Sequence, residues 1–254
     1  MNNIKIVVIS MPSSIERRKF IEEQFSSLNL PFIFFDAVVG ASKEHNELKN
    51  YNNKRRLWEK GHSLTFGEQG CFASHKEIWK LSVTNQESII VIEDDAVISD
   101  DFMKIYTYLN NASRKYDFIR LGRGYCRNLF HFLPKYILLE KIDSIYSINK
   151  YLKGPSCTHG YFITPSAAMS FIEHSNTWHW PVDDYIDKEY IHNVPSIGIE
   201  PPVVLQSDLP SEIGGVKKPH RTLLTRIRKE YFRYKENTLN DIKNITFLIK
   251  SKLK

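Results

Sequence analysis

Three consecutive carboxylates, Glu93, Asp94 and Asp95, follow directly on the run Ile89-Ile90-Val91-Ile92. An apolar run without alternation is the pattern of a strand buried on both faces. In open α/β sheets, ligands bind in the crevice at the carboxyl ends of the strands, which is where these acids stand. Crowded carboxylates repel one another unless positive charge sits among them. A divalent cation holding a phosphorylated ligand would supply that charge. The alternative is a solvated acidic turn after the strand, and the triplet by itself leaves both open.

The elements around the triplet suit the first reading. Residues 4–10 read as a buried strand, residues 15–28 as a helix introduced by Ser13-Ser14, and residues 32–38 as a second strand, so the chain opens like half of a βαβ unit. Neither GxGxxG nor GxxxxGK[ST] occurs, which disfavours a dinucleotide-binding dehydrogenase or a P-loop enzyme. Residues 40–63 are polar and punctuated, and predict an irregular segment with some helix. Beyond Leu64, the positions Cys71, Ser74, His75, Ile78 and Leu81 recur at helical spacing, with small residues that predict close packing. A helix from about Asp101 to Leu109, a strand at 116–122, strands or a hairpin within 130–150, a strand at 160–164 and a helix opened by Pro165 follow. Trp178 to Ile186 reads as a loop feeding a short helix. No repeat or low-complexity linker interrupts this, so residues 1–216 predict one α/β domain and residues 217–254 a C-terminal tail.

Hydrophobic residues make up 42% of the 254 and charged residues 25%, ordinary values for a globular chain. Three scattered cysteines, Cys71, Cys126 and Cys157, provide neither a disulfide framework nor zinc spacing, which suits a reducing, cytoplasmic compartment. The start, MNNIKIVVISM, lacks the pattern of a signal peptide, and no apolar run is long enough to span a membrane. The net charge of +6 is uneven: Lys217 to Lys254 holds twelve Lys/Arg against three acids, which leaves the body mildly acidic. That distribution argues against nucleic acid as partner of the body. The tail interleaves basic residues with Leu223, Leu224, Ile227, Tyr231, Leu239, Ile242, Ile245, Leu248 and Ile249. It predicts a basic amphipathic helix on a membrane surface, or one packed on the domain with a solvated basic face.

Taken together, the first strand with Ser14-Ile15-Glu16-Arg17-Arg18, the segment Leu64-Thr65-Phe66-Gly67-Glu68-Gln69-Gly70-Cys71-Phe72-Ala73-Ser74-His75-Lys76-Glu77-Ile78-Trp79, and Ile89 to Ala96 resemble glycosyltransferase family 25. Gly160 to Thr164, Ala167-Ala168 and Pro181-Val182-Asp183 continue the resemblance in the same order, over about residues 4–215. That family includes bacterial lipopolysaccharide and lipooligosaccharide galactosyltransferases and collagen galactosyltransferases. The resemblance implies a GT-A type fold, a single nucleotide-binding domain with a mixed, mainly parallel sheet flanked by helices. It further implies inverting transfer from a nucleotide sugar, typically UDP-galactose, with Mn²⁺ or Mg²⁺. Another donor such as UDP-glucose or UDP-N-acetylhexosamine is the same-fold alternative, and a non-catalytic sugar- or membrane-binding relative the other.

Carried onto this sequence, the resemblance makes Asp95 the direct metal ligand, with Glu93 on the ribose or galactose or ligating through water, and Asp94 in either role. Asp183, with Asp184 close behind, becomes the base that takes the acceptor's proton. Asp183 could equally cap the helix that follows it. Arg17 and Arg18 stand where the nucleotide approaches and could pair with phosphate, or belong to a solvated helix start. Glu68, Ser74 and His75 are expected to shape the nucleotide-sugar pocket. His159, Tyr161, Trp178 and Trp180 could face the acceptor, and Asp208 with His220 could close over the diphosphate, Asp208 as an added metal ligand. A lipid-linked oligosaccharide is the expected acceptor, met on the inner face of the cytoplasmic membrane through the basic tail.

Overall fold

The computed structural model describes residues 4–112, 115–123, 136–156, 158–207 and 222–252. The first half runs β1 (Lys5–Ser10), α1 (Ile15–Leu28), β2 (Ile33–Asp36), a 3-10 turn (Asn46–Asn50), α2 (Asn53–Lys60), α3 (Phe66–Asn85), β3 (Ile89–Glu93), β4 (Ala96–Ile98) and α4 (Phe102–Ala112). The second half runs β5 (Phe118–Arg120), β6 (Tyr136–Lys141), β7 (Ser147–Tyr151), β8 (Gly160–Ile163), α5 (Pro165–Glu173), α6 (Val182–Ile186), α7 (Glu189–His192), β9 (Ile197–Glu200), β10 (Val204–Gln206) and α8 (Leu223–Lys252).

Eight strands form one sheet in the order β2-β1-β3-β8-β5-β9-β7-β6, and β4 pairs with β10 in a separate two-stranded ribbon. Six of the eight run one way, and β8 and β7 run against them. The sheet is therefore mainly parallel in direction, as the resemblance implies, while each reversed strand makes both of its pairings antiparallel. The run Ile89–Ile92 is fully buried, as its lack of alternation requires. Its even and odd residues feed two different cores. Ile90 and Ile92 pack with Ile21 and Phe25 of α1 and Phe102 of α4. Ile89 and Val91 pack with Phe72 and Trp79 of α3, Phe171 of α5 and Tyr185 of α6. Each such buried side chain contributes roughly 1.5–3 kcal/mol, so the two-sided covering holds the end of β3 in place.

The β3 strand stops because the chain turns at Asp94-Asp95 and enters β4, a short strand the sequence pattern did not separate from β3. β10 holds β4 in antiparallel register, Leu205 opposite Val97. The acidic triplet thus sits at a tight corner rather than in a free loop.

The described part of the tail is one helix, α8, and one of its faces packs on the body. Lys60 and Lys188 reach Glu236 at 3.3 and 3.1 Å. Asn244 accepts from Lys150 at 3.1 Å and donates to the Leu152 carbonyl at 2.7 Å. Arg228 lies over the Trp58 ring, 4.1 Å from its centroid. Of the two arrangements open from sequence, packing on the domain describes this inner face. The outer face is exposed.

Candidate active site

β1 and β3 are parallel neighbours with Ile9 opposite Glu93, so Ser10-Met11 and Glu93-Asp94 leave the sheet side by side. A cleft of about 330 Å³ opens there. Its floor is the acidic triplet, one wall is Arg17, and the other is Val38 to Ala41 against Gly70 and Cys71 of α3. That wall depends on two glycines. A Cβ on Gly70 would lie 2.3 Å from the Val38 carbonyl oxygen, and one on Gly40 would lie 1.9 Å from that of Phe66. Ser74 completes the join: its hydroxyl accepts from the Val38 N–H and donates to the Gly70 carbonyl, both at 2.8 Å.

The three acids have three different environments. Asp94 is buried and accepts from Ser10 Oγ at 2.7 Å and from Arg17 at 2.7 Å. Burial pushes its pKa up, and the two bonds offset that only in part. Arg17 thus lines the cleft while fixing Asp94.

Glu93 accepts from His75 Nε2 at 3.2 Å, from His159 Nδ1 at 3.1 Å and from the Thr158 hydroxyl. Burial opposes its ionisation, but the bonds from His159 and His75 hold its carboxyl far below the ordinary carboxylate range. Behind His75 the chain continues inward. Its Nδ1 lies 2.8 Å from Tyr161 Oη, which also accepts from Trp79 Nε1 at 2.9 Å. Indole N–H only donates, so the phenol's own proton is left for His75 Nδ1. His75 then carries its proton on Nε2 and presents it to Glu93.

Asp95 differs from both. Its Oδ1 is buried and accepts no hydrogen bond, and His159 Nδ1 lies 3.5 Å away. Glu93, Asp95 and His159 offer ligand atoms within 4.8 Å of one another. Two carboxylates, one of them with a bare buried oxygen, fit a divalent cation, and the His159 imidazole would join them on giving up its bond to Glu93. A second cluster, Cys71, His75 and Glu93, is equally close. It fits a cation poorly, since His75 uses both ring nitrogens on Tyr161 and Glu93, and burial with nearby acids keeps Cys71 a thiol.

Asp183 occupies the first turn of α6, with Pro181 at its N-cap, and accepts from the Asp184 N–H at 2.8 Å. Burial, then the charge of Asp184, push its pKa up to about 6. The Cys71 thiol is raised by burial and then by the fields of Glu93, Asp183, Asp95 and Glu68. The field of Asp183 thus reaches the same thiol as those of Glu93 and Asp95, although Asp183 is not among the residues that line the cleft. Asp184 is half-buried beside Asp183.

The remaining candidates separate. Arg18 turns from the cleft to the Ser10 and Met11 carbonyls and to Asp36. Glu68 closes a capping box with Thr65 at the start of α3, and the cleft lining passes from Gly67 to Gly70 without it. Trp178 is a core residue, stacked on Phe72 at 4.1 Å with its N–H on the Glu47 carbonyl. Trp178 is thus an anchor, the alternative to a place at the acceptor that a loop tryptophan leaves open. Tyr161 is likewise buried, behind His75. Asp208 and His220 lie outside the described residues. Sequence reasoning missed Ser10, Thr158 and the partnership of His159 with the acids. Its only trace was that His159 precedes a strand, and it reaches Glu93 because β8 runs antiparallel to β3, with Glu93 N–H on the His159 carbonyl at 3.0 Å.

The model of glycosyltransferase family 25 (LPS biosynthesis protein) matches residues 3–186, which include the triplet, α3 and Asp183. The chain belongs to glycosyltransferase family 25. It is similar to the lipooligosaccharide biosynthesis protein lic2B of Haemophilus influenzae, 35% identical over 43% of this chain and 41% of the relative. It is also similar to the lipooligosaccharide biosynthesis protein lex-1 of the same species, 30% identical over 68% of this chain and 65% of the relative. The matches thus span less than half of lic2B and somewhat under two thirds of lex-1. A solved glycosyltransferase involved in the glycosylation of the major capsid of PBCV-1 superposes at a TM-score of 0.43 with 10% identity, over 91% of this chain and 98% of that one. Among the described residues of this family 25 chain, no helix is long and apolar enough to cross a membrane.

Proposed function

We propose that this chain transfers galactose from UDP-galactose to a hydroxyl of a lipid-linked oligosaccharide acceptor, with inversion to a β-linked product. The observation that carries this is the bare buried Asp95 oxygen at the end of β3, beside the cleft, together with one desolvated carboxylate, Asp183, whose field reaches Cys71 of that cleft. Single displacement needs both halves: groups that hold the diphosphate, and a base on the opposite side of the sugar. The names of the relatives, both lipooligosaccharide biosynthesis proteins, support the acceptor class. With a lipid-carried acceptor, the enzyme works as a peripheral protein at the cytoplasmic face of the membrane.

In this reading Asp183 takes the acceptor proton as the acceptor oxygen bonds to C1 and the C1–O bond to UDP breaks, its electron pair leaving with the diphosphate. A pKa of about 6 suits that work: the carboxylate is free near neutral pH yet more basic than an ordinary Asp. Arg17, anchored by Asp94, guards the phosphate side of the cleft. Glu93, held by three donors, is a fixed acceptor for donor-sugar or ribose hydroxyls. Asp95, with Glu93 and His159, would hold Mn²⁺ or Mg²⁺, whose charge would offset that of the departing diphosphate.

Release of UDP from a panel of UDP-sugars, with and without Mn²⁺, tests the reading. UDP-galactose should be preferred. Asp183→Asn should keep donor binding and lose about 10²–10⁴-fold in transfer. Asp95→Ala should lose metal dependence together with turnover. Preference for UDP-glucose or UDP-N-acetylhexosamine would reassign the donor, and full transfer by Asp183→Asn would move the base elsewhere.

A further inference from the structure

α8 is amphipathic on two sides. Its inner face is held by Glu236, Asn244 and Phe247. On the opposite face Leu224, Ile227, Tyr231, Ile242, Ile245 and Ile249 form a row whose members are 54–76% exposed. They fall into two groups at spacings of three and four, Leu224-Ile227-Tyr231-Tyr234 and Ile242-Ile245-Ile249, about two turns apart on the same face, with Tyr234 itself 74% exposed. At 1.5 Å per residue the row is roughly 40 Å long. Single exposed apolar residues are ordinary, but two such groups aligned on one face of one helix mark a surface that meets something apolar.

The rim decides what that is. Arg226, Arg233, Lys235 and Lys250 are exposed along the row. Of the three acids between Lys217 and Lys254, Glu236 is turned inward onto Lys60 and Lys188, Glu230 and Arg233 pair with each other, and Asp241 is exposed. Arg226, Lys235 and Lys250 against Asp241 leave the exposed side of the helix net positive. A second copy of the chain would set this charge against itself, which costs free energy, whereas an anionic lipid surface complements it. We propose that the outer face of α8 is a membrane-docking face for an anionic bilayer, with the apolar row entering the headgroup boundary and the lysines and arginines on lipid phosphates. Because the inner face is fixed to α2 and α7, the helix docks as part of a rigid body and sets the orientation of the β3 cleft to the bilayer. The inference goes beyond the transfer reading and does not need it, since docking is read without nucleotide sugar or acceptor.

Sedimentation of the full chain with phosphatidylcholine vesicles, with and without phosphatidylglycerol, tests it. The chain should sediment with the anionic vesicles, less so as salt rises. The Ile227→Glu/Ile245→Glu variant should bind at least about tenfold more weakly, with unfolding temperature and UDP release unchanged. Lys235→Glu/Lys250→Glu, which leaves the row intact, should lose the preference for phosphatidylglycerol. Binding that survives both variants would overturn the proposal. So would a full chain that ignores vesicles and sediments as a dimer which Ile227→Glu/Ile245→Glu dissociates, because the face would then belong to a second copy.

Discussion

Tyr161 decides which nitrogen of His75 carries the proton. Trp79 donates to the phenol oxygen, so the phenol donates to His75 Nδ1, and the Nε2 proton points at Glu93. Tyr161→Phe breaks this chain in the middle. It leaves the Trp79 N–H and His75 Nδ1 buried without partners, a loss of about 1–3 kcal/mol for each such group. It also frees His75 to take the other tautomer, which presents a lone pair instead of a proton to the ionised Glu93. Thermal unfolding should show the stability loss, and KM for the nucleotide sugar should rise more than kcat falls. Wild-type KM in a stable Tyr161→Phe protein would remove the relay from donor binding. Residue type and spacing did not rank Glu93, Asp94 and Asp95, which are chemically alike and adjacent, and only the family resemblance set Asp95 apart as metal ligand. What separates them comes from elsewhere in the chain: Ser10 and Arg17 for Asp94, His75, Thr158 and His159 for Glu93, and nothing but a distant imidazole for Asp95 Oδ1.

At the scale of elements, the cleft wall is a contact between backbones. The Val38–Gly40 segment lies directly on the first turns of α3, and the glycines permit that approach. Gly70→Ala should push the two apart, because its new methyl meets the Val38 carbonyl and the Gly40 backbone rather than a side chain that can move. We expect destabilisation of about 1–3 kcal/mol by denaturant unfolding, accompanied by weaker donor binding. Gly67→Ala, whose position has no such contact, serves as the control, and equal effects of the two would place the cost in helix propensity instead. The small-residue stripe of α3 was legible as a call for close packing, and so were the buried strands β1 and β3. The direction of β8 was not. A strand buried on both faces reads the same from either end, and only its reversal brings His159 to Glu93. β4 escaped because Ala96-Val97-Ile98 continues the apolar run of β3, and the partner that defines it, β10, lies more than a hundred residues later.

For the whole molecule, the carboxylate proposed as base carries a stability cost. Asp183 has a folded-state pKa of about 6 against 3.8 for the free side chain, and burial is the main cause. Above pH 6 the group is ionised in both states, and the folded state bears the desolvation penalty. As pH falls below 6 the folded state takes up a proton that the unfolded state does not bind until about 3.8. Stability from this group therefore rises on acidification between those limits, by about 1.4 kcal/mol per pH unit. His192 acts in the opposite sense: burial lowers its pKa to about 3, so its contribution falls as pH drops from 6.5. Glu47 and Glu59, both lowered to about 2, lose theirs below 4.5. A single pH profile mixes all of these, but the difference between wild type and Asp183→Asn isolates one group. The Asn side chain keeps an oxygen for the Asp184 N–H and has no charge to desolvate. The variant should be the more stable protein at pH 7.5, by about 1–3 kcal/mol, and the gap should close as pH falls to 4. Chemical denaturation of both proteins across that range checks it. A gap that stays constant with pH would show that Asp183 is not held against its ionisation. It would also remove the basis for Asp183 as a base that works near neutral pH.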